Sequence, residues 1–430
     1  MLSVRSIFGA TMLATIATTA TAQEEIEFMF PGPVQGQLSR EMSRIVDDFN
    51  ESQDAVEVVG VFTGSYDDTK IKAQAAAEAG RPPAVVLMSA NFVTELAIND
   101  LIEPIAGVAP KDTDIEAFLK EFWPAVRPNT RFNGEIYSIP FQNSTPILYY
   151  NKAHFAEAGI ETAPETWGKW IEVAKKLAKP EEGQWGLMMP SNYDYNGWLV
   201  QALAMASGGS FYNPAYPGEI YYNHASTKAA LKFWRDMAHE HEAMPTGVTG
   251  SKTVSTNFFA GKASMVVLST GALSFVRENA PFDYGVAFMP RNVRNAVPIG
   301  GASLVSFKGI TPEQKDAAWT FISHLTSPEV QGRWSRFTGY FAPRMATYDQ
   351  PEMKEFGEKN PDALRGVEQL RFAGPWIATY NTLAVRKAIE NEMQALLGDA
   401  ELTVDEAAAR AQSNANEILE PYVESTALGF

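Results

Sequence analysis

Two residue clusters in this chain could carry catalysis, and neither pattern is specific. Asp67 and Asp68 stand side by side, and paired carboxylates are what a glycosidase uses as acid and base across a scissile bond. The chain holds 51 acidic residues, so such pairs arise by chance, and a sequence cannot place two carboxylates across a substrate. A secreted hydrolase is the alternative from another class. His239-Glu240-His241 is the only cluster among five histidines. On a helix, residues two apart point well away from each other, so these imidazoles do not converge on one metal. The chain contains no cysteine, which removes thiol nucleophiles, disulfides and thiolate zinc sites. No Gly-rich phosphate loop, dinucleotide fingerprint or nucleophile elbow occurs. The residue types favour binding over turnover, and no metal or cofactor is expected.

Groups suited to holding a ligand are easier to find. Arg386 carries a rigid fork of donors that matches phosphate or carboxylate. Trp198 offers an apolar wall, or a face on which a sugar or glycerol unit can stack. A core tryptophan on an amphipathic helix fits the same residue equally well.

These residues must be positioned by an α/β framework. Ile26 to Phe30 alternates like a strand and ends at Pro31-Gly32-Pro33. Leu38, Met42, Ile45 and Phe49 form one helical face. Val56 to Val61 is a second strand, Ile71 to Ala79 a helix, and Ala84 to Met88 a short buried strand. This β-α-β-α-β order predicts a sheet with helices on both faces, with ligands beyond the carboxyl ends of its strands. Further helices are predicted over Thr166–Lys179, Asn196–Ala206 and Lys228–His239, and strands over Ala263–Leu268 and Tyr284–Met289. Thr311-Pro312-Glu313-Gln314 combines a capping residue, an initial proline and a capping-box glutamine, and starts a helix through Leu325. The C-terminal region reads mostly as helix, including Thr382–Leu397 and Thr403–Leu419. No repeat or Gly/Ser linker appears, so the domains are expected to exchange strands.

The length of 430 residues suggests two or three folding units. A formal charge of −16 argues against nucleic acid or an anionic membrane surface as the main partner. Met1 to Ala22 reads as a secretory signal: Arg5, an apolar stretch from Ile7 to Ala20, and the small-x-small site Ala20-Thr21-Ala22 before Gln23. With no cysteine to lipidate, export without a lipid anchor, into a periplasm, is expected.

At Ile139-Pro140-Phe141-Gln142-Asn143-Ser144-Thr145-Pro146, running into Ile147-Leu148-Tyr149-Tyr150-Asn151-Lys152, the chain resembles the extracellular solute-binding proteins of the maltose-binding type. The glycerol-3-phosphate-binding subgroup is the most similar. Pro164-Glu165-Thr166-Trp167, Gly261-Lys262-Ala263-Ser264-Met265, Ile299-Gly300-Gly301-Ala302-Ser303-Leu304 and Thr338-Gly339-Tyr340 agree in order and spacing. The resemblance spans nearly the whole chain after the signal. It implies a two-lobed periplasmic-binding-protein (Venus-flytrap) fold of α/β class with strand crossovers and a helical C-terminal region. Lobe one would comprise residues 23–142 and 271–331, and lobe two residues 143–270 and 332–430. The chain would cross near Gln142, Thr270 and Gln331. The implied role is that of a monomer that closes on a small polar ligand and delivers it to an ABC-type membrane permease. A chemosensory or structural interaction protein without an importer is a further alternative.

The resemblance also assigns residues. Arg386 falls where the subgroup binds ligand with an arginine. Tyr66, after Thr63-Gly64-Ser65, matches a binding tyrosine, and Ser144 matches the serine of the crossover. Thr270 stands where the subgroup has serine and keeps a hydroxyl. Gly301 would present a backbone N–H, and Tyr340 matches the tyrosine after Thr-Gly. Trp198 completes the expected set as an apolar wall. One departure stands out: Ala90, in Met88-Ser89-Ala90-Asn91, occupies the position of a ligand-binding glutamate. A ligand hydroxyl left unmatched there costs roughly 1–3 kcal/mol, unless Ser89 or Asn91 replaces the lost acceptor. Glycerophosphodiesters, other anionic sugar or polyol conjugates and neutral oligosaccharides therefore stay open beside glycerol-3-phosphate.

Overall fold

The computed structural model describes residues 23–32 and 37–427; the expected signal segment Met1–Ala22 lies outside them. Each predicted strand of the N-terminal half forms, and two main sheets stand beside two short two-stranded ones among the described residues. The first has five strands in the order Val56–Gly64, Glu24–Pro31, Val85–Ser89, Gly300–Val305, Ile139–Ser144. Its three N-terminal strands are parallel, and Gly300–Val305 runs antiparallel between its two neighbours. Both faces are covered. Phe28, Phe30, Val85 and Leu87 point into one core, while Met29, Val86 and Met88 point into the other. The helix Leu38–Ser52 has no side-chain cap at its start. It buries Leu38, Met42, Ile45 and Phe49, each worth about 1.5–3 kcal/mol, which outweighs a missing cap of about 1 kcal/mol.

The second sheet orders Tyr284–Ala287, Pro146–Asn151, Ala263–Ser269 and Trp185–Met188. Met265 and Val267 face a large core shared with the helices Asn196–Ala206, Ala225–His239, Thr382–Gly398 and Val404–Thr426. Val266 and Leu268 face a smaller one. Together the sheets make two α/β lobes. The helix Pro312–Leu325 starts on a complete Thr311/Gln314 capping box, and Asn196–Ala206 has its predicted bounds. The last helix outruns the predicted Leu419 and passes Pro421 to reach Thr426. Stacking of Tyr422 on Tyr380, with centroids 5.3 Å apart, holds the extra turns in place.

One crossing occurs as expected: Ile139–Ser144 lies in the first sheet, and after Thr145 the chain continues as Pro146–Asn151 in the second. The other two expected crossing points need correction. After Thr270 the chain stays in the second lobe, because Leu273 and Val276 pack with Ile147 and Val254, and Tyr284–Ala287 pairs with Pro146–Asn151. It rejoins the first sheet only at Gly300. The helix Pro328–Thr338 packs Val330 and Trp334 into the first core, so that crossing falls after Gln331. A polar knot ties the hinge. Thr270 N–H donates to the Thr145 carbonyl at 2.9 Å, and Thr145 N–H donates to Thr270 Oγ1 at 3.2 Å. Gln369 Nε2 reaches Thr145 Oγ1 and the Pro146 carbonyl, each at 2.8 Å.

Candidate functional site

A cleft opens where the strand ends of the two sheets meet, as the sheet topology requires. Its cavity encloses ≈ 330 Å³ of empty space including its mouth. From the first lobe come Tyr66, Ser144, Gly300, Gly301 and Tyr340; from the second come Asp194, Tyr195, Trp198 and Ser269, with Trp376 beside them.

Local structure explains each placement. Tyr66 opens the helix Tyr66–Glu78, whose start is fixed by a capping box between Ser65 and Asp68. Its hydroxyl accepts from Gln142 Nε2 at 3.0 Å and lies against the Tyr340 hydroxyl; burial pushes its pKa up to about 12. Gly301 adopts φ +93°, and a Cβ there would sit 1.9 Å from the Gln142 carbonyl oxygen, so only glycine lets the two crossing strands close up. Tyr340 follows Gly339, whose φ of +99° ends the preceding helix, and its ring lies flat over Gly271. Trp198 packs on the Gly300 backbone and near Trp376, with centroids 6.3 Å apart. Its indole N–H has no partner among the described residues.

Five of the seven expected residues thus line one cavity: Tyr66, Ser144, Trp198, Gly301 and Tyr340. Thr270 does not. It is fully buried with its hydroxyl committed to the hinge, and Ser269 faces the cavity in its place. Arg386 also stands behind the wall, 3% exposed. Its Nη2 donates to both carboxylate oxygens of Asp67 at 2.8 Å, and its Nε lies 2.9 Å from Glu390 Oε1, without the alignment of a hydrogen bond. Phe92 and Trp376 flank the guanidinium, with ring centres 5.7 and 5.9 Å away. Glu390 is fully buried and accepts the Gly197 N–H at 3.2 Å. Burial, only partly offset by Arg386, pushes its carboxyl up to about 7. Burial and the neighbouring Asp67 raise Asp194 as well.

Asp67, Asp68 and His239 are each engaged in structural contacts. Asp68 is spent on the helix cap and Asp67 on Arg386, so the two carboxyls do not face each other across a space. His239 Nε2 is engaged with the Leu396 carbonyl at 2.9 Å. At Ala90, which is buried, Ser89 Oγ donates to Asn91 Oδ1 at 2.8 Å, which engages the Asn91 acceptor, while the buried Asn91 Nδ2 has no partner among the described residues.

Residues 44–362 match the family described as bacterial extracellular solute-binding protein. The chain belongs to this family. It is 28% identical over 411 residues to the sn-glycerol-3-phosphate-binding periplasmic protein UgpB of Yersinia pestis, covering 89% of this chain and 90% of that protein. The UgpB of an Escherichia coli strain is 28% identical over 438 residues, 96% of each. Among solved structures, UgpB from Mycobacterium tuberculosis in complex with glycerophosphocholine superposes with a TM-score of 0.83 at 23% identity, over 93% of this chain and 100% of that one. Maltose-bound MalE3 of T. maritima gives 0.79 at 24% identity, over 93% and 99%. The two-lobed architecture is thus that of the periplasmic binding proteins. In this solute-binding protein the residues that the sequence failed to signal are Asp194, Tyr195, Ser269 and Trp376 in the wall, and Asp67 and Glu390 around Arg386. Tyr193-Asp194-Tyr195, directly before the Trp198 helix, and the i,i+4 spacing of Arg386 and Glu390 were the available clues.

Proposed function

We propose that this chain is the periplasmic substrate-binding component of an ABC importer, capturing a glycerol- or sugar-based solute and handing it to the permease. One observation carries the reading: a single cavity takes its walls from both lobes. A solute touching both walls favours the closed form, since only closure makes both sets of contacts, and the closed form is what a permease can read. The lining suits a polyol. Tyr66, Tyr340, Ser144 and Ser269 offer hydroxyls, Gly301 offers backbone, and Trp198 and Trp376 offer faces for a carbon skeleton. An anionic group, as in glycerol-3-phosphate or a glycerophosphodiester, would be held by Arg386. Export would remove Met1–Ala22 and leave a soluble monomer without a lipid anchor, cofactor or enzymatic activity.

The test is a thermal-shift and calorimetric screen of residues 23–430 against glycerol-3-phosphate, glycerophosphodiesters, sugar phosphates and neutral oligosaccharides. A ligand at a hundredfold excess over Kd adds about 2.7 kcal/mol of stability. Stabilisation by at least one of these compounds, lost in Trp198→Ala, is the expected result. No stabilisation by any of them, or turnover of a glycoside or phosphodiester, overturns the reading.

A further inference from the structure

We propose that Asp67 is a specificity-determining latch: it grips Arg386 across the lobes, and a ligand's anionic group must displace it. The proposal rests on the ligand class given above and asks how such a ligand is admitted.

Asp67 lies in the first turn of the Tyr66–Glu78 helix, which packs on the first sheet through Ala73. Arg386 lies in the Thr382–Gly398 helix, whose Val385 and Ile389 belong to the second core. Their two 2.8 Å bonds therefore join the lobes directly. The guanidinium is sandwiched by Phe92 and Trp376, where low polarisability strengthens an ion pair relative to water.

Charge balance gives the latch its consequence. Two acidic side chains, Asp67 and Glu390, contact the guanidinium, Asp194 stands near enough to feel its charge, and the residues lining the cavity include no Lys, Arg or His. An incoming phosphate meets a site with excess negative charge for as long as Asp67 stays. Of the two in contact, Asp67 is the one able to leave Arg386. Glu390 is fully buried one turn along the same helix, whereas the Asp67 side chain keeps 24% of its surface in contact with solvent. It can also swing out beside the positive end of its own helix. The exchange then swaps one pair of oxygens for another on the same guanidinium. A neutral saccharide needs no exchange, and the latch stands behind it.

An internal competitor scales apparent anion affinity by the fraction of molecules in which it is disengaged. A latch formed in nine molecules of ten costs about tenfold in apparent affinity. Neutral ligands lose nothing to it.

The experiment compares the parent with Asp67→Asn, and with Asp67→Glu as the variant that restores the charge, each shown to be folded by circular dichroism. Calorimetry measures glycerol-3-phosphate, glycerophosphocholine and maltotriose; small-angle scattering measures the ligand-free proteins. Asp67→Asn is expected to bind the phosphate compounds about tenfold or more tighter, to bind the neutral sugar no tighter, and to be more expanded without ligand. Asp67→Glu is expected to move back toward the parent. Unchanged or weaker phosphate binding together with unchanged ligand-free scattering overturns the latch. If no compound binds any of the three proteins, the ligand class above fails. Scattering then decides the latch alone: expansion in Asp67→Asn supports it and identical curves refute it.

Discussion

Replacing Arg386 by alanine tests how the ion cluster behind the cleft is held. The change deletes the Asp67 bonds and the contacts with Phe92 and Trp376. The Asp67 bond joins a partly exposed carboxylate and is worth about 1 kcal/mol. The ring contacts and the buried stem add about 1–2 kcal/mol. Near pH 7 the loss is therefore about 2–3 kcal/mol, and the stranded Glu390 adds little to it. Its carboxyl already sits at about 7, so the native state can neutralise it almost for free at that pH. Above pH 7 the situation changes. Without Arg386 the carboxyl must hold its proton against solvent, at up to about 1.4 kcal/mol per pH unit. Denaturant unfolding followed by tryptophan fluorescence, between about pH 6 and pH 9, measures this. The Arg386→Ala deficit should be flat up to about pH 7 and then grow by about 2 kcal/mol, and adding Glu390→Gln should abolish the growth. A deficit that is constant or shrinks above pH 7 would refute the argument.

Two further expectations follow from the same geometry. Glu390 keeps its proton in the native state from its ordinary 4.5 up to about 7, while the unfolded chain has already lost it. Native stability is therefore full below about 4.5 and declines as pH rises to about 7. The melting temperature of Glu390→Gln relative to the parent should rise across that window and level off above it; Asp194, raised in both proteins, cancels in the comparison. Gly301→Ala forces a side chain into a φ of +93° and against the Gln142 carbonyl, which should cost about 2–4 kcal/mol and weaken ligand binding. Gly134→Ala is the control: it also has positive φ, at +87°, but its Cβ would meet nothing within 4 Å. It should cost only about 1 kcal/mol and leave binding unchanged.

What the sequence reveals depends on how far an interaction reaches along the chain. The Thr311 capping box and the bounds of Asn196–Ala206 are local, and both stand as read. The strand at Tyr284 is legible from its alternation, but no periodicity says which sheet it joins. Its pairing with Pro146–Asn151 depends on residues more than a hundred positions away, which is why the lobe boundary read from the chain fell too early. Among the expected site residues, Tyr66, Ser144, Gly301 and Tyr340 near strand ends and turns, and Trp198 on a helix, converge on the cavity. Thr270, expected for its hydroxyl, is instead used by the hinge, because Thr145 presents its own N–H and carbonyl to it. Composition alone would not separate these two uses of one hydroxyl.

Arg386 is the most instructive case. As a residue type it reads as an anion receptor, and nothing within its own helix contradicts that except Glu390 one turn on. The partner that changes its meaning is Asp67, 319 positions away, in a dipeptide that by itself suggested only a chance pair of acids. Folding turns this pair into two separate devices, since Asp68 caps a helix while Asp67 reaches across the cleft. A solute-binding protein needs a cleft that closes on its ligand yet gives the ligand up to the permease. Under the proposed latch Asp67 meets that need, because it returns to Arg386 as the anion departs and lowers the cost of release. Selectivity and release then rest on the same ion pair, so a change at Asp67 that tightens phosphate binding should also slow its dissociation.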